Sequence, residues 1–196
     1  MTRDDILEAA ALVFRQKGFH GASMADIAEA VNLQKASLYH HVSSKQELLV
    51  ELLDRALFLL TDGMRLVMEQ TVPADEKLRL AMRSYLQVMT SNLDVTAVLL
   101  MEHRSLPPEL HARHIPLRDN LEQMWRDLIQ EGVTSGVFAC ADIPMAVRGL
   151  LGVLNWTITW YRPNGSLSPE QIADQFASMF LNGIKAKAEC RMMNEE

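Results

Sequence analysis

Between Leu48 and Leu60 the apolar residues Leu48, Leu49, Leu52, Leu53, Ala56, Leu57 and Leu60 recur at three- and four-residue spacing without interruption. That period is the one-face stripe of an α-helix, since a pleated strand would send these side chains to opposite faces. Just upstream, Ser44 and Glu47 have the spacing of a capping box, so one long helix is expected over about residues 44–69.

The same period recurs along the chain. Ile6, Ala10, Val13 and Phe14 form a first stripe, stopped by Gly18-Phe19. Ser23, followed by Asp26, caps a helix of about two turns through "MADIAEAV", and Asn32 can end it in the left-handed conformation. "LQKASLYHH" opens another short helix before the long one. After Pro73, helices are expected in "ADEKLRLAMRSYLQVMTSNL", around "DVTAVLLMEHRS" and, beyond a break at Pro107-Pro108, in "PLRDNLEQMWRDLIQEGVTSG", closed by Gly136. Two more run from Pro144 to Tyr161 and from Pro169 to about Ala188, the second with Ser168 as N-cap and Pro169 at its first position. Nine Gly, seven Pro and 6% aromatic residues beside 48% hydrophobic ones agree with helices and leave no credible strand. The expected fold class is all-α.

Several classes of function are disfavoured. No apolar run reaches the roughly 18 residues of a membrane span, and "TRDD" leads straight into an amphipathic pattern instead of a secretion signal, so a cytoplasmic protein is expected. Cys140 and Cys190 lie far apart with no second Cys or His at ligand spacing, which reads as two free thiols without support for a redox role. His103, His111 and His114 bring no clear set of three ligands, so neither metal nor cofactor is expected. Glu-x-x-His, Gly-x-Ser-x-Gly and phosphate-loop patterns are missing, and the candidate His and Cys residues are scattered, which argues against an enzyme.

Acids outnumber bases by 25 to 19, so the surface as a whole is unsuited to wrapping nucleic acid. Yet Val31 to Gln46 contains no Asp or Glu. Two short helices joined by a tight turn, the second without acids and rich in small donors, are what a helix-turn-helix needs to enter a major groove. Ala36 and Ser37 allow close approach, while Tyr39 and Lys45 can donate to phosphates.

"ILEAAALVFRQKGFHGA" followed by "SMADIAEAVNLQKASLYHHVSSKQELL" resembles the DNA-binding region of the TetR family of bacterial transcriptional regulators over about residues 4–53. Asn32 stands where Gly is common, Gln34 where Ser is common and Val42 where Phe is usual. The resemblance implies phosphate contacts from Ser23, Gln34, Tyr39, His41 and Lys45, and base reading by Lys35, Ala36, Ser37 and His40. For His41 a ring packed beside Val42 is the alternative, and for Lys35 a merely solvated charge. It also implies a helix-turn-helix domain over residues 1–46 and a larger ligand-binding and dimerisation domain over 47–196, in a repressor that a small effector releases from a palindromic operator.

Two-faced apolar patterns on the last two helices fit a homodimer four-helix bundle, with Leu150, Val153, Trp160, Ile172, Phe176, Met179, Phe180 and Gly183 as interface candidates. Twelve methionines bear on the effector site, because Met adapts to irregular apolar cargo. Met64, Met68, Met82, Met89, Met101 and Met124 are candidates, although a Met stripe is more often ordinary core. "EHRSLPPEL", "WRDLIQEGVTSGVF" and "LLGVLNWTITWYRPNGSLSPEQIAD" resemble the TetR subgroup responding to acyl-CoA thioesters, which implies cations such as Arg104, Arg148 and Arg162 and walls such as Trp156 and Trp160. Surface ion pairing is the alternative for each Arg. Other readings are a TetR-type efflux regulator sensing hydrophobic drugs, a helical-bundle enzyme and a ligand-free architectural DNA binder.

Overall fold

Thr2 and Ser23 each accept a hydrogen bond from the amide three residues on, and the carboxylates of Asp5 and Asp26 accept one from the capping residue's own amide. These boxes start α1 (Arg3–Gly21) and α2 (Met24–Ala30). Gly18 interrupts α1 at φ 71°, a conformation that a side chain at this position would disfavour. Asn32, at φ 54°, turns the chain from α2 into α3 (Lys35–Leu38), and the Leu33 amide closes the turn on the Ala28 carbonyl at 2.8 Å. The structure, a computed structural model, describes residues 2–184. It continues with α4 (Lys45–Met68), α5 (Ala74–Ser91), α6 (Leu93–Glu102), a 3-10 turn (His103–Ser105), α7 (Pro108–Thr134), α8 (Ile143–Trp160) and α9 (Pro169–Ile184). Among the described residues no strand occurs.

Three local expectations need correction. The segment expected as a helix through His41 has α-geometry only over Lys35–Leu38 and ends in turns. Glu47 does not return a bond to Ser44. Ser44 caps the Glu47 amide, but the Glu47 carboxylate accepts from the Ser43 amide one residue earlier. Finally, α7 starts at Pro108 instead of Pro116, because a proline in the first turn lacks an amide that no helix partner would use. Pro116 lies inside the helix. The extension of α9 to Ala188, and Cys190, lie outside the described residues.

One apolar core runs from Ile6 to Leu181. Its centre is α4, which touches α1, α5, α6 and α7. Polar links pin the layers at defined places: Arg15 to Asp94 joins α1 to α6 at 2.6 Å, and Arg83 grips Asp174 through two bonds between α5 and α9. The buried Lys77 ammonium meets the Glu131 carboxylate between α5 and α7. At Gly132 a Cβ would lie 2.0 Å from the Phe138 ring, so α7 admits that ring only because the position has no side chain.

Candidate functional site

Leu38, fully buried, anchors α3 to the core, and this leaves the rest of the segment facing outward. Gln34, Lys35, Ala36, Tyr39, His40 and His41 are exposed together, while Ser37 is half-buried. Arg3 fixes the far end of the segment, donating from Nη1 to the His41 carbonyl at 2.6 Å and from its other nitrogens to Glu47 and Glu51. The acids bordering this face are thereby engaged. Hydrogen bonds from Ser43 and Arg3 hold the Glu47 carboxyl down at about 2. The Lys17 ammonium and the Ser23 hydroxyl hold Asp26 well below the usual carboxylate range.

A cavity of about 110 Å³ lies between α4, α5, α6, α7 and α8. Leu57, Leu60, Leu99, Leu100, Leu121 and Leu151 form its apolar walls. Its polar lining is Tyr85, His103, Arg118, Asp119, Glu122 and Asn155. The buried Tyr85 hydroxyl, its pKa pushed up by burial, donates to Asn155 Oδ1 at 2.8 Å, and its ring meets Trp125 edge-on. Glu122 is paired with Arg126, four residues on. Arg118 makes no ion pair or hydrogen bond among the described residues. Burial first, and then the charge of Arg118, lower the pKa of His103. His114, one turn before Arg118, is only 4% exposed, with Nδ1 3.5 Å from Asp54 of α4 and Nε2 lacking a partner among the described residues. Burial also dominates there and lowers its pKa.

The sequence matches the family described as bacterial regulatory proteins, tetR family, over residues 6–52, and the tetracyclin repressor-like C-terminal domain over residues 71–184. The chain belongs to the TetR family. It is 30% identical to the HTH-type transcriptional repressor KstR2 of Mycolicibacterium smegmatis, with 93% of this chain and 90% of that protein covered. The TetR regulator PfmR of Thermus thermophilus superposes with a TM-score of 0.84 at 36% identity, over 92% of this chain and 99% of its own. AibR, solved with isovaleryl coenzyme A and operator DNA, superposes at 0.82 with 28% identity, over 90% and 96%.

Within this TetR frame the side chains expected at DNA divide in two. The exposed group from Gln34 to His41 is free to face a groove, whereas Ser23 and Lys45 already have partners. The Ser23 hydroxyl donates to Asp26 while capping α2. Lys45 donates to the carbonyls of Phe19 and Ala22 at 2.6 and 2.7 Å, with its ammonium over the Phe19 ring. It closes the end of α1, where orphan carbonyls need donors.

None of the residues expected in the effector site lines the cavity. Met64, Met82 and Met89 are buried as ordinary core, and Met68 and Met124 are half-buried against it. Met101, Arg104, Arg148, Trp156, Trp160 and Arg162 are exposed. Sequence reasoning missed Tyr85, Arg118, Glu122 and Asn155. A usable signal was present: His114, Arg118 and Glu122 share a helical face with Leu121 and Trp125, so charge interrupts a core-facing stripe. Of the dimer candidates, Leu150 and Ile172 are covered by their own chain. Val153, Phe176 and Phe180 are half-buried, and Trp160, Met179 and Gly183 are exposed.

Proposed function

We propose that this chain is a homodimeric transcriptional repressor of the cytoplasm that holds a palindromic operator and releases it when a small effector, such as an acyl-CoA thioester, occupies the cavity. The DNA-binding unit spans residues 1–46 and the effector and dimer unit residues 47–196 in this reading. The observation that carries it is the identity of the cavity walls. Leu57 and Leu60 belong to α4 and Leu99 and Leu100 to α6, and α1 packs on both of these helices.

The mechanism follows from that placement. A ligand between α6 and α7 pushes on helices that hold the N-terminal unit, through the Arg15–Asp94 bridge on one side and the Arg3–Glu47–Glu51 cluster on the other. Two recognition segments must sit roughly 34–36 Å apart to meet successive half-sites, so a small tilt of each unit disfavours the DNA-bound state. The effector acts only through its preference for the tilted state. Repressor activity is supported by the similarity to KstR2, and an acyl-CoA effector by the similarity to AibR, which holds one. Trp156 and Met179, 67% and 69% exposed on α8 and α9, support a second copy packing there.

Selection of bound fragments from random DNA, followed by a mobility-shift assay with a panel of acyl-CoA compounds, tests the proposal. A palindromic consensus bound by a dimer and released by a panel member is expected. Failure to select any consensus would sink the repressor reading.

A further inference from the structure

We infer that the cavity selects a short acyl group of about four or five carbons, carried by an anion whose negative charge meets Arg118 at the rim. The inference rests on the reading of the cavity as the effector site. Its first ground is size. A dry cavity of roughly 150 Å³ accepts the six carbons of benzene, so about 110 Å³ is filled by about four or five non-hydrogen atoms. Pockets for drug-sized ligands are roughly 300–1,000 Å³, so a long fatty chain or a fused-ring skeleton is too large for these walls. Leu57, Leu99 and Leu151, from three different helices, set the limit.

Charge is the second ground. Arg118 is exposed at the rim and has no partner among the described residues, although two acids line the same cavity. Glu122 is held by Arg126, and Asp119, although it lines the same cavity, makes no ion pair with Arg118 among the described residues. A guanidinium left open in this way favours a carboxylate or phosphate. Asn155 supplies the third ground. Tyr85 engages its oxygen, which leaves the amide N–H groups to donate to an acyl carbonyl.

A free short-chain carboxylate and its coenzyme A thioester offer the same chemistry, so the test needs an arm for each. Calorimetric titration of the full chain with butyrate, isovalerate, coenzyme A alone, and acetyl-, butyryl-, isovaleryl-, octanoyl- and palmitoyl-CoA reads both size and source. Butyryl or isovaleryl compounds are expected to bind at least about tenfold tighter than the acetyl and octanoyl ones, the scale of one or more methylenes in a fitted pocket. Arg118→Gln is expected to weaken them by about tenfold or more, the scale of a lost charge-assisted bond. Leu151→Ala is expected to move the optimum to longer chains. Tightest binding of octanoyl or palmitoyl compounds, no effect of Arg118→Gln, or no binding across the panel each overturns the inference. Operator selection is measured separately: tight binding of a short acyl compound without release of the selected operator keeps the size inference and rejects the release mechanism.

Discussion

Around the exposed α3 face Asp26, Glu47 and Glu51 are each held by a cation, whereas beside the cavity Arg118 has no carboxylate partner among the described residues. The first arrangement neutralises acids that would repel a phosphate backbone and at the same time ties α1 and α4 to the exposed segment around α3. It is a closed network. The second leaves a guanidinium beside Tyr85, Asn155 and two histidines kept neutral near pH 7 by burial, which makes that region receptive to a charged partner. Charges in one region hold a shape, and in the other one cation is left open.

The largest effect that tests this contrast is at Leu38. Its side chain is wholly buried and is the anchor of a segment only four residues long. Leu38→Ala is expected to lower unfolding stability by about 2–5 kcal/mol in a denaturant titration and to abolish operator binding. Next comes a pair. Lys45→Ala removes the charged donor to Phe19 and Ala22 and is expected to cost about 1–3 kcal/mol, while Lys35→Ala stays within about 0.5 kcal/mol yet weakens operator binding and lowers its salt slope by about one. Were Lys45→Ala to leave the unfolding midpoint unchanged and behave like Lys35→Ala on DNA, the closed-network account would fail.

The two regions were legible in the sequence to different degrees. Stripe, cap and turn signals are local, so the α4 stripe, the Ser23 box and the left-handed Asn32 were all readable before any tertiary information. The side chains outward on α3 follow from the same local pattern. Lys45 as a donor to carbonyls more than twenty positions away was not legible, because such a reach is invisible in spacing. The cavity was missed for a stronger version of the same reason. Five helices contribute to it, and its residues carry no common motif; only charges on the Leu121–Trp125 face betrayed it. Methionine flexibility gave no sign of this cavity, since Met82 and Met89 fill the stripe that α5 turns inward.

A pH titration of stability sharpens the comparison further. Burial holds His103 and His114 below their ordinary value of 6.5, so on acidification the unfolded chain takes up their protons before the folded one does. Their contribution is complete above 6.5 and declines as pH falls through it. Glu47 acts in a lower window, because a depressed carboxyl contributes above its ordinary value of 4.5 and loses that contribution as pH falls toward about 2. His114→Leu is expected to flatten the upper slope and leave the lower one. A wild-type stability that is level from pH 7 to 5 would contradict the lowered pKa of both histidines.

A small stability effect is expected where the two regions meet. Arg15 and Asp94 form a half-exposed bridge between α1 and α6, the kind of pair worth at most about 1 kcal/mol to folding. Its position matters more than its strength, because α6 supplies Leu99 and Leu100 to the cavity and α1 carries the DNA-binding unit. Arg15→Ala should therefore shift the unfolding midpoint little while shrinking the ratio of operator affinities measured with and without the best-binding short acyl compound. Coupling between sites is typically about 1–3 kcal/mol and reciprocal, so the ratio of the acyl compound's own affinities without and with operator must shrink by the same factor. If the ratio stays constant while Arg3→Ala reduces it, the signal runs along α4 through the Glu47–Glu51 cluster and the α6 route is silent. An equal loss in both variants would mean that the two helices move as one body.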